Sequence, residues 1–333
     1  MAESKAVVMA ALVANGAIAI LKFGGFLLTG SAAMLSETYH SISDTGNQVF
    51  LLIGLRFSGR ERDRRHPFGY GKAEFFYSFL VSVFLFGIAG WESLKHGYSQ
   101  LTAGGHGGDH AGEAVEFLWL TYTPPAWLDP VTVNYVVLLG AFGFETWALY
   151  KARAGMLAQI RENDWSGYRE AFRKTSDVTT LTALTEDTIA LAGIVIALVG
   201  ITLEQLTGSP FFDRLSAVLI GLMLMGFALA LAWENKRLIL GESLPKDVER
   251  ELRDSILSFD GVVDIVGFRT VYFGPGEVLV TADVAFDPGM ETDEIDDLIT
   301  SIEATLKEAG QGVVKVYIEP EDEPTTGAKE AAS

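Results

Sequence analysis

Cysteine is absent from this chain of 333 residues. That excludes a disulfide framework and any thiolate metal site. Histidine is scarce, with five residues, all in the first third of the chain. Positive charge is short as well: 25 Lys and Arg stand against 43 Asp and Glu, a formal net charge of -18. Such a balance argues against nucleic-acid binding. It leaves an acidic surface that either attracts cations or simply keeps the protein solvated. The N-terminus lacks the basic n-region and small-residue cleavage site of a signal peptide, so the first apolar segment is expected to remain as a helix. No nucleophile–base set and no glycine-rich phosphate loop is present, so neither enzymatic activity nor an organic cofactor is expected.

What the chain does have is apolar length. Mean hydropathy is +0.26, and 49% of residues are hydrophobic. The average conceals a split. Residues Ala6 to Leu240 are mostly apolar with short charged breaks, whereas the chain from Glu242 onward has the composition of an acidic soluble domain. A membrane helix needs about 20 apolar residues. Six stretches meet this: Ala6–Leu28, Ala32–Leu55, Ala73–Leu94, Val131–Tyr150, Val178–Leu203 and Phe212–Trp233. Asn15 and Lys22 in the first are costly in lipid and are expected to face inward. Lys and Arg cluster in Arg56–Lys72, in Lys151–Lys174 and at Lys236 and Arg237, while the alternate loops hold only Lys95. The positive-inside rule makes the clustered loops cytoplasmic, and both termini with them. The expected organisation is a six-helix transmembrane domain (1–240), a small cytoplasmic domain (241–320) and a disordered tail (321–333).

The soluble part carries its own periodicities. Pro245 to Ser258 is amphipathic, with Val248, Leu252, Ile256 and Leu257 on one side. Gly261–Phe273 and Glu277–Phe286 predict two strands joined by the Gly274-Pro275-Gly276 turn. In the second strand Val278, Val280, Ala282, Val284 and Phe286 form one apolar face. A helix over Met290–Ala309 and a strand over Val313–Ile318 complete an αββαβ order, an α+β layer of ferredoxin-like type.

Within the second apolar stretch lies Ser36-Glu37-Thr38-Tyr39-His40-Ser41-Ile42-Ser43-Asp44-Thr45-Gly46-Asn47-Gln48. Glu37, His40, Asp44 and Gln48 share one helix face. A polar network among Tyr39, Ser41, Ser43 and His40 is one reading. Metal ligation is the other, because ionisable residues inside a membrane helix are functional by default, and a His and a carboxylate at i and i+4 form a half-site for a divalent cation. Glu37 is then either a ligand at one end or a gate residue. The fifth stretch supplies Glu186 and Asp187. Successive residues point about 100° apart on a helix, so both border a cavity but only one aims along a given line; Asp187 is favoured as the direct ligand, with Glu186 the alternative. In the loop, Asp63 and His66 either bind a second ion or belong to a rigid Pro/Gly turn. Lys72 and Glu242 lie on the same side and could form an ion pair. His106 and His110, in a glycine tract, suggest at most a weak metal site.

These residues resemble the cation diffusion facilitator family. The marks are Ser-Glu-x-x-His-Ser-x-Ser-Asp-Thr-x-Asn-Gln on the second helix, Leu-Thr-Glu-Asp-Thr on the fifth, and the loop His-Pro-Phe-Gly-Tyr-Gly-Lys-Ala-Glu; a Leu-Pro pair after the sixth helix and the αββαβ order complete them. The resemblance covers about Lys5 to Pro320, and its details match the branch that includes the animal mitochondrial zinc exporter. It implies a homodimeric antiporter, joined through both domains, that exchanges a cytoplasmic divalent ion for protons. His40, Asp44 and Asp187 match family ligands. The family's helix-five His is Ala183 here, with Glu186 the obvious substitute. A site of one His and carboxylates is oxygen-rich and admits manganese, iron or cobalt beside zinc. Asp63 and His66 match loop positions, but Tyr70 replaces a further His. Metal sensing in the soluble domain would need carboxylates such as Glu319 or Asp322. The Asp of a Lys–Asp charge interlock falls at Gly241, beside Glu242. A membrane-anchored sensor or scaffold without transport is the rival reading.

Overall fold

The computed structural model describes residues 2–102, 115–117, 120–123, 129–162, 165–174, 178–309 and 312–322. The His106–His110 tract and the tail beyond residue 322 lie outside them. The helices are α1 (Ala2–Thr29), α2 (Ala32–Ser58), α3 (Lys72–Phe84), α4 (Trp91–Thr102), α5 (Pro130–Glu162), α6 (Tyr168–Lys174), α7 (Val178–Thr207), α8 (Phe211–Leu240), α9 (Lys246–Leu257) and α10 (Thr292–Glu308). A π-helical turn, Leu85–Gly90, joins α3 to α4. The strands are β1 (Val115–Phe117), β2 (Leu120–Tyr122), β3 (Val262–Gly274), β4 (Glu277–Phe286) and β5 (Val313–Pro320). The chain divides into two compact units. One comprises Met1–Arg56 and Phe76–Asn235, the other Phe57–Phe75 and Lys236–Ser333. The loop between α2 and α3 therefore belongs with the C-terminal domain.

Among the described residues, five helical stretches are long and apolar enough to cross a membrane: Leu12–Thr29, Lys72–Thr102, Pro130–Arg161, Leu184–Thr207 and Phe211–Leu240. The second expected span, now α2, is 27 residues long but is not among them; its polar stripe lowers its hydropathy. Sequence reasoning also ended the fourth span at Tyr150, whereas α5 runs on to Glu162, because basic residues mark the end of the apolar layer and not of the helix. The Lys95–Pro130 segment begins as helix to Thr102 and contains the short β1–β2 hairpin.

α2 is the centre of the first unit. Every residue from Thr29 to Ser41 is buried, and Ala33, Met34, Leu35 and Tyr39 join Phe26, Leu138, Ile194, Ile220 and Leu224 in one core. Lipid is as apolar as these side chains, so helices associate through close packing and polar contacts. The α1–α2 junction shows how. Gly30 adopts φ 69° and ends α1, a left-handed conformation that suits glycine. Ser31 then caps α2, its Oγ accepting the Met34 N–H at 3.2 Å. Asp213 of α8 completes the cap from outside: Oδ1 accepts the Ser31 hydroxyl at 2.7 Å and Oδ2 the Ala32 N–H at 2.7 Å. A carboxylate also suits the positive end of a helix dipole.

The second unit holds a three-stranded sheet in the order β3-β4-β5, with β3–β4 antiparallel and β4–β5 parallel. The parallel pair needs a crossover, which α10 supplies. A reciprocal capping box between Glu291 and Glu294 starts α10. The expected face of β4 is buried: Val278, Val280, Ala282 and Val284 are at most 1% exposed and pack with Leu252, Ile256, Ile302 and Leu306. Each such large side chain contributes about 1.5–3 kcal/mol, so this unit is held by ordinary hydrophobic burial. Glu319 and Asp322 lie exposed at and beyond the end of β5.

Removing the Asp213 carboxylate strips partners from Ser31 and the first turn of α2. Asp213→Ala is expected to lower stability by about 2 kcal/mol, the scale of hydrogen bonds to a charged group, measured by unfolding of the protein in detergent micelles. An unchanged unfolding midpoint would show that the cap contributes nothing.

Candidate metal centre

The polar stripe of α2 sits on the most enclosed part of that helix. His40 is 1% exposed, and neither ring nitrogen has a hydrogen-bond partner among the described residues. Its Nε2 lies 3.5 Å from Asp44 Oδ2. Nearby hydroxyls are committed elsewhere: Thr38 donates to the Met34 carbonyl and Thr45 to the Ser41 carbonyl. The polar-network reading required hydrogen bonds to His40, and the imidazole makes none. An orphaned buried imidazole costs free energy that an ion would restore.

Three other helices face this stripe. From α1, fully buried Lys22 donates through Nζ to Glu37 Oε2 at 2.8 Å, while Glu37 Oε1 has no partner. Glu37 Oε1 lies against Gly193 of α7, where a Cβ would collide with it; only glycine leaves room for that carboxylate. From α7, Glu186 accepts hydrogen bonds from Asn47 Nδ2 at 3.3 and 3.4 Å, and its charge bears on Asp44. Asp187 makes no hydrogen bond to α2 among the described residues; the charge of Glu186 bears on it, and its own charge bears on Glu145. Glu145, on α5, is 7% exposed. It escaped the sequence reading because a lone carboxylate in an apolar span carries no motif. Its signal was its place on one face with Asn134, Leu138 and Ala141, all buried. Of the two α7 carboxylates, Glu186 is thus the one that meets α2. Among the described residues, no three His, Asp or Glu side chains converge to ligating distance.

The loop candidates are a turn with its own internal bonds. Asp63 Oδ1 accepts the N–H groups of Arg65 and His66 at 2.8 and 2.7 Å, and Oδ2 accepts the Tyr70 hydroxyl at 2.7 Å. His66 Nδ1 stands 3.4 Å from Asp63 Oδ1, and its ring lies on Tyr70 with centroids 4.1 Å apart. Both side chains are half exposed. The loop closes against the β3–β4 turn: a Cβ on Gly71 would lie 2.7 Å from the Phe273 carbonyl oxygen and 2.8 Å from Gly274 Cα. Lys72 donates to the Ile239 carbonyl at 3.4 Å, and Glu242 pairs with Arg237. The structure does not bring Lys72 and Glu242 together as an ion pair.

The Tyr70 hydroxyl, followed by the His66 backbone N–H, holds the Asp63 carboxyl below the usual aspartate range, and the same contact pushes the Tyr70 phenol up. Since the folded value of Asp63 is the lower one, this contribution to stability is present above about pH 3.9, the unfolded value, and is lost as pH falls through the folded value. Tyr70→Phe is expected to move the Asp63 pKa toward the ordinary aspartate value, read from its carboxyl carbon chemical shift during titration. An unmoved titration would mean that the phenol does not hold the carboxylate.

Residues 8–240 match the cation efflux transmembrane domain, and residues 244–323 match the cytoplasmic domain of cation efflux proteins. The chain is 30% identical to the human mitochondrial proton-coupled zinc antiporter SLC30A9, over 84% of its own length and 46% of that protein's. It is 28% identical to metal tolerance protein C4 of Arabidopsis thaliana, over 86% of this chain and 58% of the relative. It is also 24% identical to the cation-efflux pump FieF of Yersinia enterocolitica, over 81% and 77%. The chain spans about half the length of the first two relatives. With two domain matches that together cover most of its length, the chain is an integral membrane protein of the cation efflux, or cation diffusion facilitator, family.

Proposed function

We propose that this protein exports a divalent metal cation from the cytoplasm in exchange for protons, as a homodimer working by alternating access. Zinc is the first candidate substrate, and the zinc antiporter among the relatives supports it. Manganese, iron and cobalt are the alternatives, since one imidazole among carboxylates suits harder ions as well. His40, Asp44 and a carboxylate of the Glu186–Asp187 pair bind the ion. Glu37 stands at one end as gate or ligand. The Asp63–His66 turn is a subsidiary ion site at most. In this reading α2 crosses the bilayer as a sixth span, although its polar stripe keeps it from qualifying on composition. The basic loops place both termini and the ferredoxin-like domain in the cytoplasm; in a bacterium the membrane would be the inner one. The family's cytoplasmic domain supports dimerisation, and in this reading the transmembrane domains pair as well.

The observation that carries this reading is His40: buried, without a hydrogen bond on either nitrogen, and 3.5 Å from Asp44. Charge supplies the coupling. Glu37, Asp44, Glu145, Glu186 and Asp187 border the same region, with Lys22 beside them as counter-charge. That many carboxylates in apolar surroundings need neutralising partners. A divalent cation neutralises two charges, and protons take its place when it leaves, because ligands bind metal only when deprotonated.

His40→Ala or Asp44→Ala is expected to abolish metal-driven proton movement in proteoliposomes carrying a pH-sensitive dye, with the proteins eluting as wild type does in size-exclusion chromatography. Wild-type flux in both variants would sink the assignment.

A further inference from the structure

We infer that Glu145 of α5 is a further carboxylate of the ion site, so that a third helix contributes a ligand beside α2 and α7. The inference rests on the reading of His40 and Asp44 as ion ligands and extends it to a helix that carries none of the motif residues.

Three observations lead to it. First, Glu145 is 7% exposed inside a span long enough to cross a membrane, and no hydrogen bond or salt bridge reaches its carboxyl among the described residues. A buried carboxylate left without a partner is expensive unless something else meets it. Second, its direction is inward. Asn134, Leu138 and Ala141 are the buried residues three, two and one turns before it, and the exposed face of α5 carries Val136, Leu139 and Trp147. Third, the groups it acts on electrostatically are those of the candidate centre. Its charge bears on Asp44 and Glu186, and the charges of Lys22, Asp187 and Glu37 bear on it.

The simplest alternative is that Glu145 is the counter-ion of Lys22. Lys22 Nζ donates to Glu37 at 2.8 Å and its charge also bears on Glu145, but one lysine cannot neutralise two carboxylates. The surplus negative charge is what a cation arriving from outside the protein would meet. One imidazole and the carboxylates of Asp44 and Glu186 leave a four-coordinate ion room for a further donor, for which Glu145 stands beside Asp187 and Glu37. A carboxylate oxygen from α5 supplies it, and raises the oxygen share of the site. With oxygen donors from three helices around a single nitrogen donor, the choice between zinc and harder ions depends on Glu145.

The test uses the full-length protein in detergent, with zinc and manganese binding measured by calorimetry, and in proteoliposomes, with proton movement driven by each metal. Glu145→Gln is expected to weaken zinc binding about tenfold or more, at least the scale of losing a group that only hydrogen-bonds a metal ligand, and Glu145→Asp to recover part of it. Glu145→His replaces oxygen by nitrogen and is expected to shift the zinc-to-manganese preference toward zinc, which a packing role would not do. Wild-type affinity in Glu145→Gln, alongside loss of binding in His40→Ala, would overturn this inference and leave the first reading standing. Full binding in His40→Ala would overturn the first reading itself. If Glu145→Gln fails to assemble, Glu145→His decides, and an unchanged metal preference overturns the inference.

Discussion

A charge in the apolar interior of a helix bundle must meet a compensating group, and the arrangement of the first unit follows from that requirement on α2. The Lys22–Glu37 pair meets it directly, with both side chains fully buried. Such a pair gains little over an apolar alternative, because desolvation offsets the Coulomb attraction. Losing one partner is another matter, costing about 3–5 kcal/mol. The pair therefore acts less as a source of stability than as a constraint: α1 cannot leave α2 without exposing a bare charge to the apolar interior. Gly193 extends the constraint to α7, since the Glu37 carboxylate fills the space where a side chain would stand.

One turn further along α2, compensation is incomplete. His40 has no hydrogen-bond partner, and Asp44 faces another carboxyl, Glu186. A region whose own groups do not balance is one that a cation or protons would neutralise, which is the property the proposed exchange relies on. Holding α2 still makes this imbalance useful. The Asp213 cap fixes the start of the helix. Its last residues belong with the loop that closes on the β3–β4 turn through Gly71.

Legibility in the sequence followed the strength of periodicity. The two-residue alternation of β4 named its buried face from Val278 to Val284, where a covered side tolerates no slip of register; at the strand's end Ala285 is buried and Phe286 only partly so. The inward direction of Lys22 was also readable, since lipid excludes the alternative. Helix ends were less so, as α5 shows by running past Tyr150 to Glu162. The sequence favours Asp187 over Glu186 as the direct ligand, yet Glu186 is the one that meets α2, because neighbours on a helix diverge and only the packing of α7 against α2 decides between them. The loop was ambiguous for a different reason. Asp63 and His66 have the residue types of a metal site, but whether a carboxylate is spent on its own turn depends on the Tyr70 hydroxyl and two backbone N–H groups, which no spacing rule reports.

In the proposed site, selectivity would follow from how few nitrogen donors remain. Helices α2, α5 and α7 hold one histidine among them, His40, since Ala183 stands where the family's second one would be. The C-terminal domain has no histidine and the chain no cysteine. Soft-ligand affinity therefore cannot distinguish zinc from its neighbours here. What is left is geometry: the carboxylates sit on separate helices, and how closely those helices bring their oxygens together sets the coordination number an ion can find. A tetrahedral zinc site tolerates little spread, whereas a larger ion accepts more oxygens at longer reach. A bundle clamped by Lys22–Glu37 and capped by Asp213 limits that spread. In this architecture the contacts that hold α1, α7 and α8 against α2, rather than the ligand types alone, set the limits on which ion the bundle can accept.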